Sequence, residues 1–200
     1  MGIAKNIMDG KDAVVQFFAE GPTASPFTIP CVQFTDSWYV AHSEFILYRS
    51  AYDHFLKMKE SEKDDFFRFI HSAGELDARG NTVNLKNRRI FMDTQNNIVY
   101  SMNAQYAGNS VGLKKHSMRL AIKKSGQEGW LCEHMFIMAA VDADKDRKTY
   151  FCGAYPSACG KTSTAMIPGE KIVGDDIAYF RNIDGEFRAV NVEFGMFGII

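Results

Sequence analysis

Apolar runs separated by short polar or Gly/Pro-marked breaks extend along the whole chain, and the spacing within each run predicts an element. Residues 11–20, KDAVVQFFAE, have helical composition; GPTASPFTIP follows as a loop with three of the five prolines, the expected internal boundary. VQFTDSWYVAHSEFILY, rich in β-branched and aromatic residues, predicts two strands about a turn at Asp36 and Ser37. SAYDHFLKMKESEKDDFFRFIHSAGE alternates charged and apolar residues near helical spacing and predicts two helices, with a stop at Gly74. RRIFMDTQNNIVYSM predicts a hairpin about Gln95, Asn96 and Asn97, and VGLKKHSMRLAIKKS a helix with Met118, Leu120 and Ile122 on its apolar face. WLCEHMFIMAAV and TYFCGAY predict neighbouring strands across the charged turn DADKDRK, and KIVGDDIAYFRNIDGEFRAVNVEF predicts strands with a hairpin turn at Asp184-Gly185. There is no internal repeat. The elements together describe a mixed α/β, or α+β, domain with much strand.

Composition narrows the function classes. Two hundred residues at 46% apolar and 13% aromatic content make one globular domain or a large piece of one. Lysine plus arginine (23) balances aspartate plus glutamate (24), so no general field draws in nucleic acid or anionic lipid. No apolar run approaches the ~18 to 20 residues of a membrane span. The four cysteines form no CxxC pair and the N-terminus lacks the apolar core of a signal peptide, so a reducing, cytoplasmic setting is expected. The chain stops at FGMFGII, which is expected to mark a truncation that exposes apolar surface and favours self-association.

Four stretches carry chemistry. In YFCGAYPSACGKTSTAM, Gly160, Lys161 and Thr162 have the order of a phosphate-binding loop, but Tyr155 stands where a strict loop has its first glycine. A strand leading into PSACG and a helix starting at GKTSTAM would turn backbone N–H groups toward an anion, with Lys161 on the outer phosphates and the Thr162 hydroxyl on magnesium. The plain alternative, of equal weight, is a helix N-terminus with a solvated lysine. IVGDD brings Asp175 and Asp176 to the end of an apolar run, pointing to opposite sides of an extended chain. They would serve two metals, or one of them none; an Asp-rich turn is the alternative. His134 in EHM, inside an apolar run, is by itself more often a hydrogen-bonded core residue than a ligand. In YAGNSVGLKKHSMR, Gly108, Asn109 and Gly112 allow close backbone approach to a small anion beside Lys114 and Lys115. A solvated helix face is the blander reading of the two lysines.

In combination these stretches resemble the GTP-dependent class of phosphoenolpyruvate carboxykinases, from about Val32 to the last residue. Pro156 to Thr162 match that family's Pro-Ser-Ala-Cys-Gly-Lys-Thr loop, in which the missing glycine is normal; GWLCEHM, VGDDIA, the YAGNS…KK segment and FTDSWYV match further family segments. The resemblance implies manganese ligands at Lys115, His134 and Asp176. It implies a pocket for oxaloacetate or phosphoenolpyruvate lined by Tyr106, Ala107, Gly108, Asn109 and Ser157, with Lys114 near the substrate and the transferring phosphate. Ala158, Cys159, Gly160, Lys161, Thr162 and Ser163 correspond to the nucleotide phosphate loop, Thr162 and Asp175 to the nucleotide magnesium, and Cys159 to the family's reactive loop cysteine; Cys159, Lys114 and Lys161 are the expected catalytic side chains. The implied reaction converts oxaloacetate and GTP to phosphoenolpyruvate, CO2 and GDP in gluconeogenesis. ATP or pyrophosphate as donor, and a non-catalytic metal- and nucleotide-binding piece, are the alternatives. The implied organisation is residues 1–30 as a separate helix and loop, 31–145 as a substrate and metal domain, and 146–200 as the start of a nucleotide domain. Ala107 departs from the family's glycine, and residues 1–31 hold no counterpart of its N-terminal arginine. The family's guanine-binding aromatics, a further arginine and its lid lie later in longer chains, so the 200 residues alone are expected to be inactive.

Overall fold

A six-stranded sheet fills the first half of the chain in a computed structural model that describes residues 6–58, 65–105, 114–142, 144, 147–156 and 159–196. Its strands are β1 (Val14–Glu20), β2 (Ile29–Thr35), β3 (Arg49–Ser50), β4 (Phe67–Ser72), β5 (Arg89–Asp93) and β6 (Ile98–Met102), in the spatial order β3-β1-β2-β4-β6-β5. β2, β4 and β6 are parallel neighbours, while β1, β3 and β5 join antiparallel.

Three expected elements change type here. Residues 14–20 form strand β1, not a helix. Phe18 pairs with Cys31 on one side and Ser50 on the other, so neighbours on both flanks override a weak helical composition. β1 and β2 therefore flank the proline-rich loop as partners in one sheet. The second strand expected after Asp36 is instead helix α1 (Trp38–Leu47). Ser37 caps it by accepting from the Val40 N–H, and Val40, Ala41, Glu44 and Leu47 face inward at helical spacing. Its aromatic residues, which suggested a strand, point outward: Trp38 is 75% and Phe45 77% exposed. Of the two helices expected next, α2 (Tyr52–Lys57) forms, but FRFIHS is the buried strand β4, with Phe67 and Phe69 alternating into the core.

Helix α3 (Lys114–Glu128) forms as expected with a different inner face. Lys114, Ser117, Leu120, Ala121 and Ser125 turn inward, Met118 packs partly against the core, and Ile122 is exposed. Of the inward polar groups, Lys114 and Ser117 find partners outside the helix, and Ser125 bonds the Ile122 carbonyl of its own turn.

The second half consists of β7 (Leu131–Glu133), β8 (Phe136–Asp142), β9 (Arg147–Gly153), helix α4 (Lys161–Ala165), β10 (Lys171–Gly174), β11 (Ala178–Ile183) and β12 (Glu186–Asn191). They build two antiparallel sheets, β10-β8-β9 and β12-β11-β7. The three expected hairpins are present as β5/β6, β8/β9 and β11/β12. At the last, Asp184 (φ 55) and Gly185 (φ 83) both take the left-handed conformation that a two-residue turn between twisted strands requires.

One apolar cluster joins the halves: Phe18, Ile29, Phe67 and Phe69 from the large sheet pack with Leu120 of α3 and with Ile177, Tyr179 and Val192. Inside this seam lies a carboxyl group. Glu20, at the end of β1 and 1% exposed, bonds Ser117 of α3 and the Tyr179 hydroxyl of β11, the latter at 2.7 Å. Burial, with the Glu193 carboxylate adding to it, pushes Glu20 up to about 8 against the opposing Tyr179 bond.

Replacing Ser37 by alanine is expected to lower stability by ~1 kcal/mol through loss of the α1 cap, read as a lower urea midpoint at unchanged slope. For Glu20, the folded chain keeps a proton that the unfolded chain releases near pH 4.5. Its contribution to stability is therefore complete below that pH and is lost as pH rises through about 8. Relative to Glu20→Gln, the wild type should lose up to ~1.4 kcal/mol per pH unit across that window. Parallel urea titrations of the two proteins at pH 5 and pH 8 check this; an unchanged stability difference would contradict a buried neutral acid.

Candidate functional site

The site lies where the chain crosses twice between the two small sheets. β7 passes to β8 through His134 and Met135, and β10 passes to β11 through Asp175, Asp176 and Ile177. Pairing of Ala178 with Glu133 in the β11–β7 ladder brings these two crossings side by side, so His134 meets Asp176. His134 is thus not inside a strand, as its apolar surroundings suggested; it is half-buried at the break between two. Gly174 permits the second crossing, since a Cβ there would fall 2.1 Å from the Asn191 side chain.

The first turn of α3 closes the site from another direction. Lys115 Nζ lies 3.0 and 3.1 Å from the two Asp176 carboxylate oxygens and 2.6 Å from His134 Nε2. His134 Nε2 in turn contacts Asp176 Oδ1 closely. Lys161, the first residue of α4, places Nζ 2.7 Å from Asp176 Oδ1, and Lys114 places its own 2.7 Å from Oδ2. Lys114 also pairs with Glu193 at 2.6 Å. Glu193 follows β12 in the unremarkable stretch NVEFG and carries no periodic or motif signal in the sequence. Only the fold brings it to Lys114.

These contacts act on the ionisation of each group. Asp176 is penalised by burial, but bonds from His134, Lys114 and Lys161 and the Lys114 charge hold it far below the usual carboxylate range. The two adjacent lysines move apart. Burial is the largest effect on both; on Lys115 it prevails, helped by the Lys114 and Lys161 charges, and the amine falls below the ordinary lysine value. On Lys114, the Glu193 and Asp176 carboxylates outweigh burial and raise it. Burial pushes Glu193 itself up to about 7 despite Lys114.

Lys115, His134 and Asp176 make demands that protons cannot all satisfy. A His134 Nε2 that donates to Asp176 has no lone pair left for Lys115, and one that accepts from Lys115 has no hydrogen for Asp176. A cation inside the triangle would take one lone pair from each. Bonds of ~2.1 Å to one ion space neighbouring donors about 3 Å apart, close to the separations found here. Two nitrogens and a carboxylate suit a borderline divalent ion such as manganese better than magnesium. Among the described residues no three His, Cys, Asp or Glu side chains form a metal cluster, so a metal held here would need the lysine amine as its third donor.

A cleft of about 490 Å³ opens beside this triangle, lined by Lys115, His134, Asp176, Tyr155, Pro156 and residues 160–163 of the loop. Tyr155 packs its ring edge-on against Phe136, at 5.5 Å between centroids, and Gly153 leaves room for the same ring. The loop is thus braced by an aromatic contact at the position where a strict phosphate loop has glycine. Gly160 caps α4 in the left-handed conformation (φ 88), and Cys159 beside it is exposed. The Thr162 hydroxyl donates to Asp175 at 3.0 Å, an all-oxygen pair of the hard type that magnesium takes. Asp175 and Asp176 take different partners, Asp175 the Thr162 hydroxyl and Asp176 the Lys161 amine. The structure therefore brings together Lys114, Lys115, His134, Lys161, Thr162, Asp175 and Asp176, with Gly160 and Ser163 lining the cleft and Cys159 exposed next to Gly160 in the chain. Tyr106, Ala107, Gly108, Asn109, Ser157 and Ala158 lie outside the described residues.

Comparison with known proteins matches both halves of the chain to one family. The family model described as phosphoenolpyruvate carboxykinase N-terminal domain matches residues 1–126, and that described as phosphoenolpyruvate carboxykinase C-terminal P-loop domain matches residues 130–200. Proteins named phosphoenolpyruvate carboxykinase (GTP) align along nearly the whole chain. That of Pyrococcus horikoshii is 58% identical over 99% of this chain and 31% of its own length. That of Saccharolobus solfataricus is 48% identical over 99% of this chain and 30% of its own. That of Chlamydia pneumoniae is 38% identical over 98% and 34%. The chain thus spans about a third of the length of these relatives. With an amine, an imidazole and a carboxylate converging beside a braced loop, and family models matching both halves, the chain belongs to the phosphoenolpyruvate carboxykinase family.

Proposed function

We propose that this chain supplies the metal and phosphate-loop portion of an enzyme that converts oxaloacetate and GTP to phosphoenolpyruvate, CO2 and GDP. The observation that carries the proposal is the convergence of an amine, an imidazole and a carboxylate on one point next to Lys161 and Thr162. The GTP named for the relatives supports the choice of donor over ATP or pyrophosphate. Free thiols at all four cysteines suit a reducing cytoplasm, and among the described residues no helix is long and apolar enough to cross a membrane.

In this reading Lys115, His134 and Asp176 hold Mn2+, which when bound supplies Lewis acidity for charge developing on the substrate oxygen. The residues themselves prepare the site. Lys115 offers a lone pair only as the neutral amine, and its burial and the neighbouring Lys114 and Lys161 charges favour that form. Lys114 stays charged between Glu193 and Asp176 and lends the cleft a fixed positive group toward an anionic substrate. Cleavage of the carbon–carbon bond releases CO2 and leaves its electron pair as an enolate. The enolate oxygen attacks the γ-phosphorus, and the bond from that phosphorus to the β-phosphate oxygen breaks to give GDP. Residues 158–163 and Lys161 cradle the phosphates, Thr162 and Asp175 hold the nucleotide's Mg2+, and Cys159 lies at the loop's exposed edge. Residues 106–109 and Ser157 receive the carboxylate end of the substrate.

Titration of the chain with Mn2+ followed by electron paramagnetic resonance is expected to show one stoichiometric site. Binding should weaken at least about tenfold in His134→Ala, and affinity should rise with pH as the remaining amine proton leaves Lys115. Mutation-insensitive binding would sink the assignment. For the loop, Thr162→Val should weaken Mg2+-GDP about tenfold while leaving metal-free GDP little changed, measured by displacement of a fluorescent GDP analogue. Equal weakening in both conditions would remove Thr162 from the magnesium site.

A further inference from the structure

The Lys114, Lys115 and Asp176 groups come from two separate elements, and the same strand terminus touches both of them. Ser117 lies one turn after Lys114 on the inward face of α3, and Tyr179 lies three residues after Asp176 on β11. Glu20 bonds both: its Oε1 accepts from the Ser117 hydroxyl and its Oε2 lies 2.7 Å from the Tyr179 hydroxyl. Ser117, Tyr179 and Glu20 are all fully enclosed. The next residue extends the same connection. The Gly21 N–H donates to the Val192 carbonyl at 2.9 Å, and the Arg49 guanidinium spans the carbonyls of Gly21, Val192 and Glu193. The end of β1 thus reaches α3, β11 and the segment that carries Glu193, the three pieces that meet around Lys114 Nζ.

We propose that Glu20 is a positioning residue of this site: from the N-terminal sheet it sets the spacing between α3 and β11 that holds Lys114 and Lys115 against Asp176. A buried carboxyl group between two hydroxyls is costly unless both bonds are kept, so each bond resists sliding of its element. Small displacements have large effects on such a cluster, because charge-assisted contacts below 3 Å weaken steeply with distance. A neutral carboxyl group, favoured by the burial of Glu20, can share a proton with either hydroxyl, which glutamine can imitate and an aliphatic side chain cannot. The inference rests on the proposed metal site for what the cluster does, but not for where Lys114 is held.

Two readouts in the full chain test it. One is Mn2+ affinity by electron paramagnetic resonance; the other is acylation of Lys114 by an amine reagent, quantified by mass spectrometry against exposed Lys171. Both are run where urea curves show each variant folded, so that a loss of stability alone moves neither. Glu20→Leu is expected to weaken Mn2+ about tenfold and to expose Lys114 to acylation, while Glu20→Gln stays within about twofold of wild type in both. If Glu20→Leu does not fold, Ser117→Ala and Tyr179→Phe each remove one arm and should give smaller shifts in the same direction. If wild type binds no Mn2+, the metal reading fails, and Lys114 acylation alone decides: deprotection in Glu20→Leu restored in Glu20→Gln supports the positioning role, and unchanged protection overturns it. Tight Mn2+ binding with Lys114 protection unaffected by Glu20→Leu overturns the role and leaves the metal site standing.

Discussion

Everything in the site depends on one carboxylate. Asp176 accepts from Lys114, Lys115 and Lys161 and contacts His134, which uses its capacity of about four lone-pair sites. Three ammonium groups at this separation would repel strongly in a partly buried cleft without a compensating anion. Asp176 and Glu193 provide that compensation unequally. Glu193 faces Lys114 alone, so the excess positive character falls on Lys115, the lysine whose amine is driven below its ordinary value. Charge placement thus separates two neighbouring, chemically identical side chains into a fixed cation and a potential ligand.

The backbone serves this arrangement through two crossings and a seam. The register of β11 against β7 decides that His134 and Asp176 face each other; a slip of one residue would send one of them to the opposite side. The seam between the large sheet and the small ones contains Glu20, an acid kept uncharged by burial, in place of a further apolar residue. While neutral, such a group adds little beyond offsetting its own desolvation, and ionising it as pH rises toward about 8 is what costs stability. Its value lies in direction, because hydrogen bonds constrain the two elements in a way that apolar contacts do not.

The comparison of expected and observed elements has a consistent physical pattern. Hairpins marked by Asn97 or Asp184-Gly185 were legible because the turn chemistry is local. β1 and β4 depart from their helical composition because each is a short segment fixed by a neighbouring strand on both flanks, β2 and β3 for β1, and β2 and β6 for β4. Helix α1 was misread as a strand because its aromatic residues face outward, against the usual association of aromatics with buried strands. On α3 the inward polar face was not legible, as Lys114 and Ser117 are buried only because Asp176, Glu193 and Glu20 wait for them.

By itself the sequence determined the chemistry on offer: the run from Pro156 to Thr162, the paired lysines, His134 and the paired aspartates are local strings whose residue types and order are sufficient to mark the family. It also determined the β8/β9 and β11/β12 hairpins of the second half, where pairing is between near neighbours. The tertiary structure alone decided that Lys115, His134 and Asp176 share a point, that Lys161 joins them, and that Glu193 and Glu20 support them. The reason is separation: Glu20 and Tyr179 stand 159 positions apart. Only closure of the fold gives such residues a common environment, and with it their charges and their roles.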